Sequence, residues 1–109
     1  MKTELHLVLK RGPFEDIKSG KKTIEYRLLT PYWKKRIVDH KDTLETIRFV
    51  MGMPKKGTQD YNDKCMIIDW KGYEIRKTSD VSKELGAQGY DVYTDEQIEE
   101  NPEVICIKL

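Results

Sequence analysis

Gly20, Lys22, Glu25 and Arg27 stand together in the run GKKTIEYR, which gathers an ammonium, a carboxylate and a guanidinium within eight residues. Glu25 and Arg27 are two residues apart, so on an extended strand both project from one face. There a carboxylate and a planar guanidinium can pair and hold each other in position. Lys22 enters from the turn that precedes the strand. Gly20 permits the tight backbone such a turn needs and leaves amides open to a phosphate oxygen or a base edge. The chemistry on offer is recognition of an anionic or base-like ligand, or acid–base work with Lys22 and Glu25 as the reacting pair. The plain alternative is an exposed strand with a same-face salt bridge.

Other groups with chemical potential surround this run. Lys10, Arg11, Lys21, Lys34, Lys35 and Arg36 form a basic rim suited to phosphate contacts that carry no sequence preference and weaken with salt. Tyr26, Tyr32, Trp33 and Tyr61 are the aromatics available for stacking on a base. Spacing draws two of them toward a core: Trp33 lies four residues before Ile37, and Tyr26 alternates with Ile24 and Leu28. Tyr61, in a polar stretch, is the freer candidate. His6 is a further acid or base if the first strand lies beside the motif strand. Asp60, Asp63 and Asp69 show no recognised ligand spacing, and Cys65 and Cys106 sit in apolar runs without a CxxC or His-rich neighbourhood. No metal or cofactor is therefore expected, and both cysteines read as small core residues.

The elements that must position these groups are short. Residues 4–10 alternate as a strand, with Leu5, Leu7 and Leu9 on one face and His6 and Val8 on the other. Pro13 opens a helical turn on which Phe14 and Ile17 share a face, and Gly20 ends it. Residues 23–28 form the motif strand, with Ile24, Tyr26 and Leu28 opposite Thr23, Glu25 and Arg27, the second face collecting the polar chemistry. Thr30 and Pro31 cap and begin a short basic helix. A strand over 44–51 ends at Gly52, and MPKKGTQDYND reads as a long mobile loop. Residues 65–70 and 73–76 look like a hairpin or a strand bent at a bulge; 80–85 and 94–100 are capped helices, and 104–109 is a closing strand.

The chain of 109 residues, 38% hydrophobic and 36% charged, suits one domain over 1–109 and no more. It holds no apolar run approaching the roughly 20 residues of a bilayer helix. Its first residues lack a secretory h-region, so the expected location is cytoplasmic, with no membrane partner. The net charge of +1 conceals an asymmetry: residues 1–56 carry 14 Lys+Arg against 7 Asp+Glu, and residues 57–109 carry 6 against 12. A basic front half suits an anionic partner such as nucleic acid, unless the halves interleave in space and mix their charges. Brief strands interrupted by short helices, without a βαβ rhythm, point to a small, mostly antiparallel barrel.

With these residues in view, the sequence resembles the activating signal cointegrator homology (ASCH) domain family, whose fold is a β-barrel related to the RNA-binding PUA domain. GxKxxExR is that family's signature, and Gly20, Lys22, Glu25 and Arg27 match its fixed positions. The opening LHLVLKRGPFEDIKSG and the Tyr32-Trp33 pair are similar as well, so the resemblance covers roughly residues 4–52. Beyond that, only the strand pattern and the final VICIKL fit a barrel closure. The resemblance implies an α+β, mainly β, PUA-like barrel with short flanking helices. It also implies association with RNA or a modified nucleotide, in a cleft formed by the motif; nothing in the sequence calls for an obligatory protein partner.

Residues expected to bind the ligand are Gly20, Lys21, Lys22, Glu25, Arg27, Lys10, Arg11, Lys34, Lys35 and Tyr61. The alternative is a hydrolase using Lys22 and Glu25, since some family members resemble ribonucleases and a bacterial branch removes the acetyl group from N4-acetylcytidine. In that branch the motif lysine corresponds to Lys22, but the catalytic threonine corresponds to Glu25. That departure removes the hydroxyl nucleophile, although Thr23 lies nearby.

Overall fold

The computed structural model describes residues 3–109; Met1 and Lys2, the first residues of the expected domain, lie outside the described part. In chain order the strands are β1 (Thr3–Leu9), β2 (Ile24–Leu28), β3 (Leu44–Met51), β4 (Cys65–Asp69), β5 (Tyr73–Lys77) and β6 (Glu103–Lys108). The helices are α1 (Arg11–Lys18), α2 (Pro31–Arg36), α3 (Gln59–Asp63), α4 (Thr78–Ala87) and α5 (Asp95–Glu100), with a 3-10 turn at Val38–His40. This is the expected α+β class, organised by its strands. The strands form two three-stranded sheets, ordered β1-β3-β4 and β2-β6-β5, and among the described residues no ladder joins one sheet to the other.

Three of the four strand pairs are antiparallel, as expected, but β1 and β3 run parallel. A parallel pair needs a long crossover, normally signalled by one helix between two strands. Here the crossover carries α1, β2 and α2, so the motif strand leaves the first sheet and joins the second. Residues 65–76 are corrected in the same way. They form neither a hairpin nor a bent strand: β4 pairs with β3, and β5 pairs with β6. Gly72, at φ 92°, lets the chain turn from one sheet to the other in a conformation that costs other residues dearly.

Local signals explain most elements. Leu5, Leu7 and Leu9 are buried while His6 and Val8 are exposed, the alternation of a strand with one face on a core. α1 begins at Arg11, with Pro13 inside its first turn, where an absent N–H leaves no helical bond unmade. Phe14 and Ile17 from this helix join Leu7, Ile37, Ile47, Phe49, Ile105 and Ile107 in the main core. Thr30 Oγ1 accepts from the Trp33 N–H to start α2, and Thr94 with Gln97 makes a reciprocal capping box on α5. Within the stretch read as a loop, Thr58 Oγ1 accepts from the Tyr61 N–H and starts α3. Cys106 is a core residue, whereas Cys65 is only half-buried and its Sγ accepts from Arg48 Nη1 at 3.1 Å.

A second, smaller core lies on the other side of β2 and β6. Val81 and Leu85 of α4 pack there against Val104 and Cys106, with Ile24, Tyr26, Tyr90 and Tyr93 at its margin. β2 is thus covered on both faces.

Candidate functional site

The motif converges on one carboxylate. Ser19 caps the end of α1, and Gly20 turns the chain at φ 83°; the Lys22 N–H then donates to the Asp16 carbonyl (2.9 Å), tying the approach to β2 back onto the helix. A Cβ added at Gly20 would meet only open space, so the backbone conformation alone calls for glycine there. From this anchored turn Lys22 Nζ donates to Glu25 Oε1 at 2.7 Å, and from β2 Arg27 Nη2 donates to Glu25 Oε2 at 2.9 Å. The Tyr26 N–H is a further donor to Oε1 at 3.2 Å.

Glu25 thus accepts three hydrogen bonds and is buried, at 4% exposure, although its alternation with Ile24 and Tyr26 points to a polar outer face. The polar face of β2 turns inward. A carboxylate can be held there because a cation donates to each oxygen, which offsets the cost of removing it from water. One negative charge between two positive ones leaves the cluster net cationic, and both cations reach the surface.

They reach different places. Arg27 lines a groove of about 660 Å³ between β1 and α2, shared with His6, Val8, Tyr32, Trp33 and Arg36. Its guanidinium is fixed on three sides: Nη2 also donates to the Val8 carbonyl (3.2 Å), and the group lies 5.0 Å from the centroid of Trp33. The Tyr32 ring meets Trp33 edge-on at 4.8 Å, and the Arg36 guanidinium lies 3.5 Å from the Tyr32 ring centroid. Cation, indole, phenol and cation thus follow one another along a single wall, each contact favourable by the ring quadrupole. Arg27 Nε is buried and has no hydrogen-bond partner among the described residues.

Lys22 instead faces two smaller grooves. One, about 410 Å³, is bounded by Gly20, Thr23, Ile67, Asp69 and Lys71; the other, about 260 Å³, by Lys21, Thr23, Tyr26, Gln88 and Tyr90. Tyr90 O–H donates to Asp16 Oδ2 at 3.2 Å; burial first, then this carboxylate, pushes the phenol's pKa above its ordinary value. Glu25 lines none of these three grooves.

The expected ligand-binding residues divide accordingly. Arg27 lies in the β1–α2 groove, and Gly20, Lys21 and Lys22 border the other two. Glu25 lies behind all three as the support for Lys22 and Arg27. Lys10, Arg11, Lys34, Lys35 and Tyr61 border none of the three. Arg11 pairs with Glu15 at 3.1 Å and Lys34 with Asp39 at 3.2 Å, both in the open, while Lys10 and Lys35 are exposed and Tyr61 is half-buried on α3.

Trp33 serves two ends: one part packs on the main core while the ring also forms the groove wall. His40 and the Val8 carbonyl were not expected in the site. His40 arrives by the fold of the 3-10 turn and carried no local signal, whereas a main-chain carbonyl is present at every position and marks none. Among the described residues no three His, Cys, Asp or Glu side chains gather closely enough to hold a metal ion, and no helix is long and apolar enough to cross a membrane.

No family model matches the chain, and no curated protein matches it. Among solved structures it is similar to the crystal structure of hypothetical protein PH0355, over 97% of this chain and 96% of that one, with a TM-score of 0.52 and 17% identical residues. At that identity the likeness is one of fold.

Proposed function

We propose that this chain is an ASCH-like, PUA-related domain that binds a single-stranded RNA segment, or a modified nucleotide, in the groove between β1 and α2. The observation that carries the reading is the posture of Arg27. It is held from behind by Glu25, from the side by the Val8 carbonyl and across its face by Trp33, while lining a groove along the same wall as Tyr32 and Arg36. A planar cation held in advance loses little freedom when it meets a phosphate or a base edge, and the exposed Tyr32 ring nearby offers aromatic surface. The groove joins the positive charge and π-surface that unpaired nucleotides require.

The hydrolase reading has less support. Glu25 already accepts from Lys22, Arg27 and the Tyr26 N–H and does not border a groove, so it is badly placed to take a proton from a substrate.

Arg36 is exposed, so a substitution there tests the groove without disturbing the buried cluster. Titrating a labelled single-stranded RNA at two salt concentrations is expected to show binding that weakens with salt. Arg36→Glu is expected to lower the affinity by about tenfold and to flatten the salt dependence. Binding that ignores both salt and Arg36→Glu, or no binding at all, overturns the reading.

A further inference from the structure

β1 is an edge strand, and two hydrogen bonds fix which way its amides point. The Gly52 N–H donates to the Leu9 carbonyl at 3.0 Å, so Leu9, Leu7 and Leu5 turn their main-chain groups toward β3. Arg27 donates to the Val8 carbonyl from the opposite side, so Val8, His6 and Glu4 turn theirs toward β2 and α2. No strand pairs with β1 on that side. Among the described residues no main-chain hydrogen bond outside the β1–β3 ladder involves the N–H or C=O of His6, and His6 lines the groove that holds Arg27, Tyr32, Trp33 and Arg36.

We infer that the main chain of His6 reads the Watson–Crick edge of an unpaired base seated in this groove, an inference that rests on the groove being a nucleotide site. In an extended residue the N–H and C=O point the same way and lie side by side, a donor next to an acceptor. Each unpaired base carries the complement on its Watson–Crick edge, where a donor adjoins an acceptor. The wall across the groove supplies what else a nucleotide needs, namely aromatic surface from the exposed Tyr32 and positive charge from Arg27 and Arg36.

An extended peptide adding to the same edge fits less well. Arg27 already occupies the Val8 carbonyl, and the β1–β3 register shifts between Thr3 and Glu4, so the free edge is confined to the neighbourhood of Glu4 and His6. That is too short for a ladder of main-chain bonds, and nothing in such a ladder uses two guanidinium groups.

The test separates main chain from side chain. His6→Pro deletes an N–H that makes no ladder bond, a substitution edge strands accept, whereas His6→Ala keeps the N–H and removes the imidazole. With a uridine oligonucleotide, His6→Pro is expected to bind about tenfold more weakly than wild type, and more weakly than His6→Ala, which keeps the N–H. A ligand-side variant guards against misfolding of His6→Pro: an oligonucleotide of 3-methyluridine, whose methyl group replaces the N3–H donor, is expected to bind wild type about tenfold more weakly. RNA binding that depends on salt and on Arg36 but is indifferent to the N3-methyl group overturns the main-chain readout and leaves the groove reading standing. Absence of any RNA binding overturns the groove reading itself. Binding of an extended peptide in place of RNA, lost in His6→Pro, overturns the inference in favour of strand addition.

Discussion

The two faces of β2 are covered by opposite chemistry. On one side Ile24 and Tyr26 pack into a small apolar cluster with Val81, Leu85, Cys106 and Tyr93. On the other, Glu25 and Arg27 meet Lys22 in a cluster of charges, and the most deeply buried residue of the strand is the carboxylate. Apolar burial is non-directional and tolerates small shifts; the charged side holds only while every partner stays in place. The apolar face thus serves to anchor the strand, and the charged face serves to aim two cations at the surface.

The largest consequence of this difference is expected at Glu25. Glu25→Gln keeps the shape but leaves Lys22 and Arg27 facing each other across a neutral amide. We expect a loss of about 3 kcal/mol in denaturant unfolding, the lower end for breaking a buried ion pair. The lower end applies because the Lys22 and Arg27 side chains keep 14% and 19% exposure and recover some water. A loss below about 1 kcal/mol would place the cluster with ordinary surface ion pairs and dissolve the contrast between the two faces.

The apolar face is probed by alkali. Burial, with a further push from the charge of Glu25, raises the Tyr93 phenol from 10 to about 12, and burial raises the Cys106 thiol from 9 to about 11. Burial lifts Tyr26 in the same direction. Each raised value means that the folded chain keeps its proton more firmly than the unfolded chain. That stability is complete below pH 9 and is lost as the pH climbs through 11 and 12. Unfolding midpoints should therefore be flat from neutrality to about pH 9 and fall steeply above it, with Cys106→Val removing the earlier part of the fall. A flat profile to pH 12 would show that these groups titrate without strain.

A smaller effect separates the two ends of the charged face. Arg27→Lys retains the charge but loses the fork and the contact with Trp33, and single-stranded RNA is expected to bind about tenfold more weakly. Lys22→Arg, which keeps a cation on Glu25 and faces different grooves, is expected to change the affinity by about twofold or less. Equal losses would mean that the ligand spans both ends of the cluster.

Which parts of this arrangement were legible in the sequence follows from the range of each interaction. β1, β3 and the caps at Thr30 and Thr94 announce themselves through neighbours within four residues, and they stand where spacing put them. The parallel pairing of β1 with β3, and the parting of β4 from β5 into different sheets, are choices among distant partners on which local spacing is silent. Alternation in β2 separated Glu25 and Arg27 from Ile24 and Tyr26. It could not say that both faces would be covered, because the cover comes from β1 on one side and α4 on the other. The charged motif was readable as a cluster. Its division between grooves was not, since that depends on where α2 folds back, and basic residues such as Lys34 and Lys35 on the same helix end up away from them.

The smallest expected effect sets the contrast from outside. Arg76 and Glu84 make a double contact at 2.6 and 2.7 Å, as short as the bond between Lys22 and Glu25, yet Glu84 is exposed and Arg76 only half-buried between β5 and α4. The Arg76 guanidinium holds the Glu84 carboxyl below its ordinary 4.5, so whatever stability the pair supplies is present above that pH and fades as the pH falls beneath it. Water competes for both partners and salt screens them, so distance alone is a poor guide to what the bond contributes. Glu84→Gln is expected to lower the melting temperature by less than about 4 °C at neutral pH, with the difference shrinking in high salt and in acid. If this variant instead matched Glu25→Gln in size, burial would lose its standing as the cause of the difference, and the doubled geometry of the Arg76 contact would take its place.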